Sequence, residues 1–361
     1  MIIQHLQERR LKIEGRIGFA YESFGAAYTG MRDDIGRKVA IKIVALHSMT
    51  EDEVDDLRQE AYVLRLLDHE FIIGPAEYFV KSSLLYCVTN LMDLGSVRRI
   101  LNLPDYSHGI PENTIAAIVK QLAEALEYVH TCGIVHRGIR CSHILCSSTG
   151  QIKLGGFRYA IHLKEGNDWM EEGKLNKTYT YTPKLTSQHY WCAPEILNQD
   201  LNGYDYKSDI YSVGISICEM ANGIIPFADM DNRLQILFEK HRGIAPLVLD
   251  CTSVNPDVSP ADTVFCKKRF SKYLHILAKS CLSQDQRERP TATQVKRHEF
   301  VKEFLGRRLS KKVSFQNNWP LAKPLMPALQ APDVEVFDEV IERGELHADT
   351  DLAPEIAPWL F

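Results

Sequence analysis

A few short, separated runs of this 361-residue chain place side chains where they could hold a charged phosphate. Lys42 ends Val39-Ala40-Ile41-Lys42, and Glu60 follows in the next apolar-periodic stretch. His136-Arg137-Gly138 is followed by Arg140 and His143, and Gly156-Phe157-Arg158 comes next. Lysine and arginine neutralise phosphate oxygens, and the planar guanidinium matches them best. Aspartate and asparagine, which could accept a proton or hold Mg²⁺, are missing from the same runs. The glycines at 138 and 156 have no side chain to accept a proton or bind a cation. Imidazole, as at His143, suits oxygen-preferring Mg²⁺ badly. The nine cysteines are scattered and form no C-x-x-C pair, which argues against zinc and redox chemistry and fits a reducing compartment.

These runs need a scaffold, and the apolar pattern supplies one. Residues 13–48 read as strands, with Tyr28 to Met31 and Val39 to Val44 apolar or β-branched around a charged turn. Glu51 to Leu67 reads as a helix, because Val54, Leu57, Ala61, Leu64 and Leu67 recur at helical spacing. Two more apolar runs end in Leu84–Asn90. From Asn113 the pattern is helical, with Ile115, Ile118, Val119, Leu122, Ala125, Leu126 and Val129 on one broad face. Helices are also expected at Asp209–Asn222, Asn232–His241, Phe270–Cys281 and Ala292–Arg297. The helical signal fades after Leu305. Residues 319–332 are rich in proline and acids crowd Asp333 to Glu355, so 306–361 is expected to be a mostly extended acidic tail. The class is α+β: a β-rich N-lobe (13–93), a helical C-lobe (94–305) and a short N-terminal segment (1–12). Hydrophobic content of 45% and charged content of 25% are ordinary for a globular protein. A net charge of −5 gives no global pull toward nucleic acid or an anionic membrane, and no apolar run approaches a membrane span. The opening MIIQHLQERRLK carries charge where a signal peptide needs its apolar stretch.

Taken in order, the runs resemble a protein kinase across roughly Lys12–Leu305. Val39 to Lys42 matches the strand bearing the nucleotide lysine, and Glu60 stands where its ion-pair partner belongs. His136-Arg137-Gly138 opens the catalytic-loop equivalent, Gly156-Phe157-Arg158 replaces Asp-Phe-Gly, and Ala193-Pro194-Glu195 closes the activation segment. Asp209 to Gly214 begins the central C-lobe helix, and Arg289 is the late arginine that pairs with Glu195. The resemblance implies a bilobal kinase fold with an extended C-terminal tail. It also fixes what is lost. Gly138 replaces the aspartate that orients the substrate hydroxyl. His143 and Gly156 replace the two magnesium ligands, and Arg140 replaces a lysine. These read as three independent losses. In the phosphate loop Ala20 and Glu22 stand at the first two glycine positions, and only Gly25 keeps the third.

Parts of a nucleotide pocket are nevertheless expected. The resemblance assigns Lys42, Glu60, Ala40, Gly25, Thr89 (gatekeeper), Asn90 and Met92 (hinge), Leu145 and Arg158 to ATP, bound without Mg²⁺ and not hydrolysed. Arg158 is the replacement counter-charge. His143 is read as a packed histidine in preference to a phosphate contact, Arg137 as a bond donor within its loop, and His136 with Phe157 as spine packing.

Within the kinases the chain resembles the sterile-twenty-like group and, inside it, the STRAD pseudokinase adaptors. The carrying stretches are Tyr204 to Ile215, Cys218 to Gly223 with Pro226-Phe227, Ser142-His143-Ile144-Leu145, Gly156-Phe157-Arg158, and the terminal Trp359-Leu360-Phe361. That resemblance implies an inactive adaptor that activates a serine/threonine kinase of the liver kinase B-one type. A helical-repeat scaffold of the mouse protein twenty-five type joins it, docking Trp359 and Phe361. It implies cytoplasmic residence, with nuclear shuttling as a variant, and no nucleic-acid or membrane partner. Two rivals are weighed against it: a weak non-standard kinase using His143, Glu165 or Asp168, and a nucleotide-free scaffold whose pocket Glu22 blocks.

Overall fold

A computed structural model describes residues 9–20, 25–74, 77–163, 178, 180–181, 188–230, 232–253 and 260–309. Glu22, Glu165, Asp168, Trp359, Phe361 and the whole of 310–361 lie outside the described residues. The chain parts into two compact units, one ending at Asp93 and the other beginning at Leu94, with His69–Ile72 belonging to the second.

The first unit is a five-stranded antiparallel sheet in the order β1-β2-β3-β5-β4. Its strands are β1 (Leu11–Ala20), β2 (Gly25–Arg32), β3 (Arg37–Ala45), β4 (Glu77–Lys81) and β5 (Leu84–Asn90). β1 starts inside the 1–12 segment set outside the domain, because Leu11 pairs with Arg32 and buries into the sheet's core with Tyr28, Ile41, Ile43 and Tyr86. Among the described residues, an α-helix, α1 (Glu51–Leu66), accompanies the sheet. It starts at a reciprocal cap: the Glu53 N–H donates to Thr50 Oγ1, and the Thr50 N–H donates to the Glu53 carboxylate at 2.9 Å. Its buried residues are Leu57, Glu60, Ala61, Val63 and Leu64, four apolar side chains and one acid.

The second unit is mostly helical. Its central pair is α3 (Glu112–Thr131) and α5 (Lys207–Asn222), named after a short α2 (Val97–Leu101) and α4 (Pro194–Leu197). The predicted face of α3 is wholly buried from Ile115 to Val129. Then come α6 (Arg233–His241), α7 (Lys272–Cys281), α8 (Ala292–Lys296) and α9 (Glu299–Leu309). α9 carries helix past Leu305, where the sequence pattern fades; Phe300 and Val301 anchor its start in the core. Short strands β6 (Gly95–Ser96), β8 (Ile144–Cys146) and β9 (Ile152–Leu154) form one small sheet, and β7 (Ile134–Val135) pairs with β10 (Ile161–His162). His69–Ile72, assigned to the N-lobe from sequence, packs here: the Leu154 N–H donates to Phe71 O at 2.8 Å, and the His69 ring stacks on Tyr128. Among the described residues, no helix is long and apolar enough to cross a membrane. A β-rich unit followed by a helical one is the fold class that the sequence predicts.

Candidate functional site

In the first unit, strand register collects the predicted nucleotide residues. Ala40 faces Thr89 and Lys42 faces Cys87 across β3 and β5, and Cys87 faces Tyr78 on β4. Directly opposed residues and those two apart share a sheet face, so Ala40, Lys42, Thr89, Cys87 and Tyr78 line the same one. Thr89 and Met92 are buried and Asn90 is exposed at the end of β5.

Glu60 and Gly25 each have a local structural setting. The Glu60 side chain, 3% exposed, keeps Oε2 without a hydrogen-bond partner. It lies near Tyr78: burial, then Cys87, then the Glu60 charge push that phenol well above its ordinary range. Glu60 therefore acts on the β4 side of this face, which the residue spacing alone does not reveal. Gly25 is also explained without phosphate. It pairs with Val44, and a Cβ there would meet Val44 Cγ2 at 3.0 Å and Ile43 O closer still. Its bareness is what lets β2 approach β3.

In the second unit, Asp209 at the start of α5 builds the loop from below. Its Oδ2 accepts the His136 N–H at 2.9 Å and its Oδ1 the Arg137 N–H at 2.8 Å, while His130 Nε2 lies 2.9 Å from Oδ2. Burial alone would raise its pKa, but His130 and His136 overcome that and hold it below the ordinary value. His136 is fully enclosed. Gly138 donates its N–H to His136 Nδ1 at 3.0 Å, so Nε2 carries the hydrogen given to Gly155 O at 3.1 Å. Burial lowers its pKa to about 4, against the raising effects of Asp209 and Gly155. Its ring packs on Phe157 at 4.3 Å between centroids.

Arg137, with φ 57°, spends its guanidinium on structure. Nε donates to Tyr159 O at 2.5 Å, and Nη1 to Thr180 O and Tyr204 Oη at 3.2 and 3.1 Å. These bonds tie the catalytic-loop equivalent to the segment after Arg158.

The three degenerate positions converge. His143 Nδ1 lies 2.6 Å from Gly138 O, a carbonyl that only accepts, so Nδ1 carries the hydrogen. Nε2 then accepts from Arg140 Nε and Nη2 at 3.2 and 3.0 Å. Both ring nitrogens are thus bonded inside their own loop, with Gly156 directly against the ring. Arg140 also lies over Trp191, 5.6 Å from the ring centroid, and Trp191 Nε1 donates to Glu219 Oε2 at 2.9 Å. Arg158 is buried in a 3₁₀ turn beside Tyr159, and Leu145 sits on β8 opposite Ser96. Arg289 grips Glu195 through both carboxylate oxygens.

Residue patterns did not single out Lys240. In sequence it is one charge among Glu239-Lys240-His241 on a surface-like helix. In the fold it is buried, and Nζ donates to His189 O, Tyr190 O and Cys192 O at 2.7–2.8 Å. Burial lowers its pKa to about 7. The Arg140–His143–Gly138 linkage was missed too, although an arginine three residues before a histidine was visible.

Residues 15–301 match the protein kinase domain family. The chain is 36% identical over 269 residues to STE20-related kinase adapter protein strd-1 of Caenorhabditis elegans, covering 72% of this chain and 67% of that protein. It is 30% identical over 319 residues to human STE20-related kinase adapter protein alpha, covering 81% and 72%. The mouse beta form is 29% identical over 324 residues, covering 81% and 75%.

Proposed function

Because this chain belongs to the protein kinase family and, within it, to the STE20-related kinase adapters, we propose that it is a catalytically inactive adaptor that binds and activates a partner protein kinase. The observation that carries this reading is the state of its catalytic loop. Gly138 and Gly156 offer no carboxylate, and His143 has both ring nitrogens bonded to Arg140 and Gly138. Phosphoryl transfer depends on positioning the acceptor and on metal neutralisation of the phosphates. Neither a proton acceptor nor a magnesium ligand is available from these positions.

An adaptor of this kind acts through its conformation, and a ligand shifts that conformation only by binding one state better. We assign ATP, without Mg²⁺, as that ligand. In the first unit Lys42 is assigned to phosphate and Ala40, Thr89, Asn90 and Met92 to the base; in the second, the kinase resemblance assigns Arg158 to phosphate and Leu145 to the base. The serine/threonine partner is taken to be of the liver kinase B-one type, acting in the cytoplasm. Trp359 and Phe361 are assigned to a scaffold of the mouse protein twenty-five type, since large aromatics are frequent interface anchors.

The test combines reconstitution and radiolabelled transfer. The purified chain is expected to raise a partner kinase's turnover and to move no γ-phosphate itself, with Lys42→Met changing nothing in the second assay. Phosphotransfer by the chain that Lys42→Met abolishes would replace the adaptor with an enzyme. ATP without metal should raise the melting temperature, and Trp359→Ala/Phe361→Ala should lose the scaffold while keeping the fold.

A further inference from the structure

Protein kinases hold Mg²⁺ with the side chains at the positions of His143 and Gly156, and this chain does not fit that ion. The misfit goes deeper than missing ligands. We propose that positions 143 and 156 form one sterically coupled pair: the His143 imidazole fills the volume that any side chain at 156 would enter, so a carboxylate cannot return there while the histidine stays.

Backbone shape by itself does not exclude an aspartate at 156. Gly156 has φ 80° and ψ 41°, in the left-handed region, which aspartate and asparagine tolerate better than other residues. The obstacle is the ring. A Cβ on Gly156 would lie 2.6 Å from His143 Cε1, and nearer still to Nδ1 and Cγ, far inside van der Waals contact. The ring is also fixed. Nδ1 is held by Gly138 O at 2.6 Å and Nε2 by Arg140 at 3.0 and 3.2 Å, and Arg140 is itself placed over Trp191. Moving the imidazole breaks bonds at both ends.

Position 138 is crowded by different groups. A Cβ there would stand 3.0 Å from Gly156 O and 3.3 Å from His136 Cε1. The losses at 143 and 156 are therefore not independent: they share one small volume, whose ring is held in place by Arg140 and the Gly138 carbonyl. This inference rests on the packing at these positions and not on the adaptor reading, so either can fail alone.

Thermal unfolding of the full chain and three variants tests it: Gly156→Ala, His143→Ala, and both together. Left-handed backbone strain from the alanine introduced at position 156 is common to both backgrounds, so the difference between them isolates the clash. Gly156→Ala is expected to lower the melting temperature much more in the presence of His143 than in its absence; equal drops overturn the proposal. If Gly156→Ala alone yields no folded protein, recovery on adding His143→Ala supports the coupling, and no recovery overturns it. In a second arm, Gly156→Asp with His143 retained is expected to show no Mn²⁺-dependent rise in melting temperature. Such a rise would mean that the carboxylate had found room.

Discussion

Arg289 and Glu195 meet as a two-pronged ion pair, Nη1 to Oε1 at 2.6 Å and Nη2 to Oε2 at 2.8 Å, and neither side chain has appreciable access to water. The guanidinium also donates to the carbonyls of Ser283, Lys207 and Gln284, so its donors are spent on the fold. Arg289→Met strands the Glu195 charge in the interior. Breaking such a pair from one side costs about 3–5 kcal/mol. Urea unfolding should record that loss, and a change under about 1 kcal/mol would place the pair among weak surface bridges.

Asp209 carries a comparable burden at the start of α5. Asparagine has one acceptor oxygen for the two main-chain N–H groups of His136 and Arg137 and for His130. Asp209→Asn should cost about 1–3 kcal/mol, the range for leaving a buried donor unmet. Hydrogen exchange should quicken at the His136 and Arg137 amides. Unchanged protection there would show that the loop is held by other bonds.

His136 makes stability depend on acid. Its folded pKa of about 4 lies below the ordinary 6.5. Between those values the unfolded chain takes up a proton that the folded chain refuses. Its contribution is therefore complete above pH 6.5 and is lost as pH falls toward 4, amounting to about 3 kcal/mol. Unfolding free energies across that window should fall with acid, and His136→Phe should flatten the slope. A slope unaltered by the substitution would assign the effect to another group.

Lys240 fixes the chain just before α4. Removing its ammonium in Lys240→Met leaves the carbonyls of His189, Tyr190 and Cys192 without that donor. The amides of Trp191 and Cys192, both bonded to Gln188 O, are expected to exchange faster. The Trp191 fluorescence should shift as its place against Arg140 loosens. Unchanged exchange at both amides would show that Gln188 alone sets this turn.

Much of the fold was legible from periodicity. The 3.6-residue pattern from Ile115 to Val129 marks a buried helix, and the β-branched stretch Val39–Val44 marks a central strand. These signals are local, because each element must bury one face whatever its neighbours are. Boundaries were less legible. Leu11 joins β1 because its pairing with Arg32 extends the strand, α9 runs on to Leu309 where the apolar pattern has faded, and Phe71 sits with the second unit through a main-chain bond that leaves no mark in residue type.

The residue identities at 138, 143 and 156 determined by themselves that the usual carboxylates and amide are gone, since chemistry absent from a side chain is absent in any fold. Tertiary structure alone decided where the remaining groups point. It left Glu60 Oε2 without a hydrogen-bond partner, spent Arg137 on the oxygens of Tyr159, Thr180 and Tyr204, buried Lys240 under three carbonyls, and set the His143 ring against Gly156. Those outcomes depend on distances between residues far apart in the chain, and close packing is what fixes them.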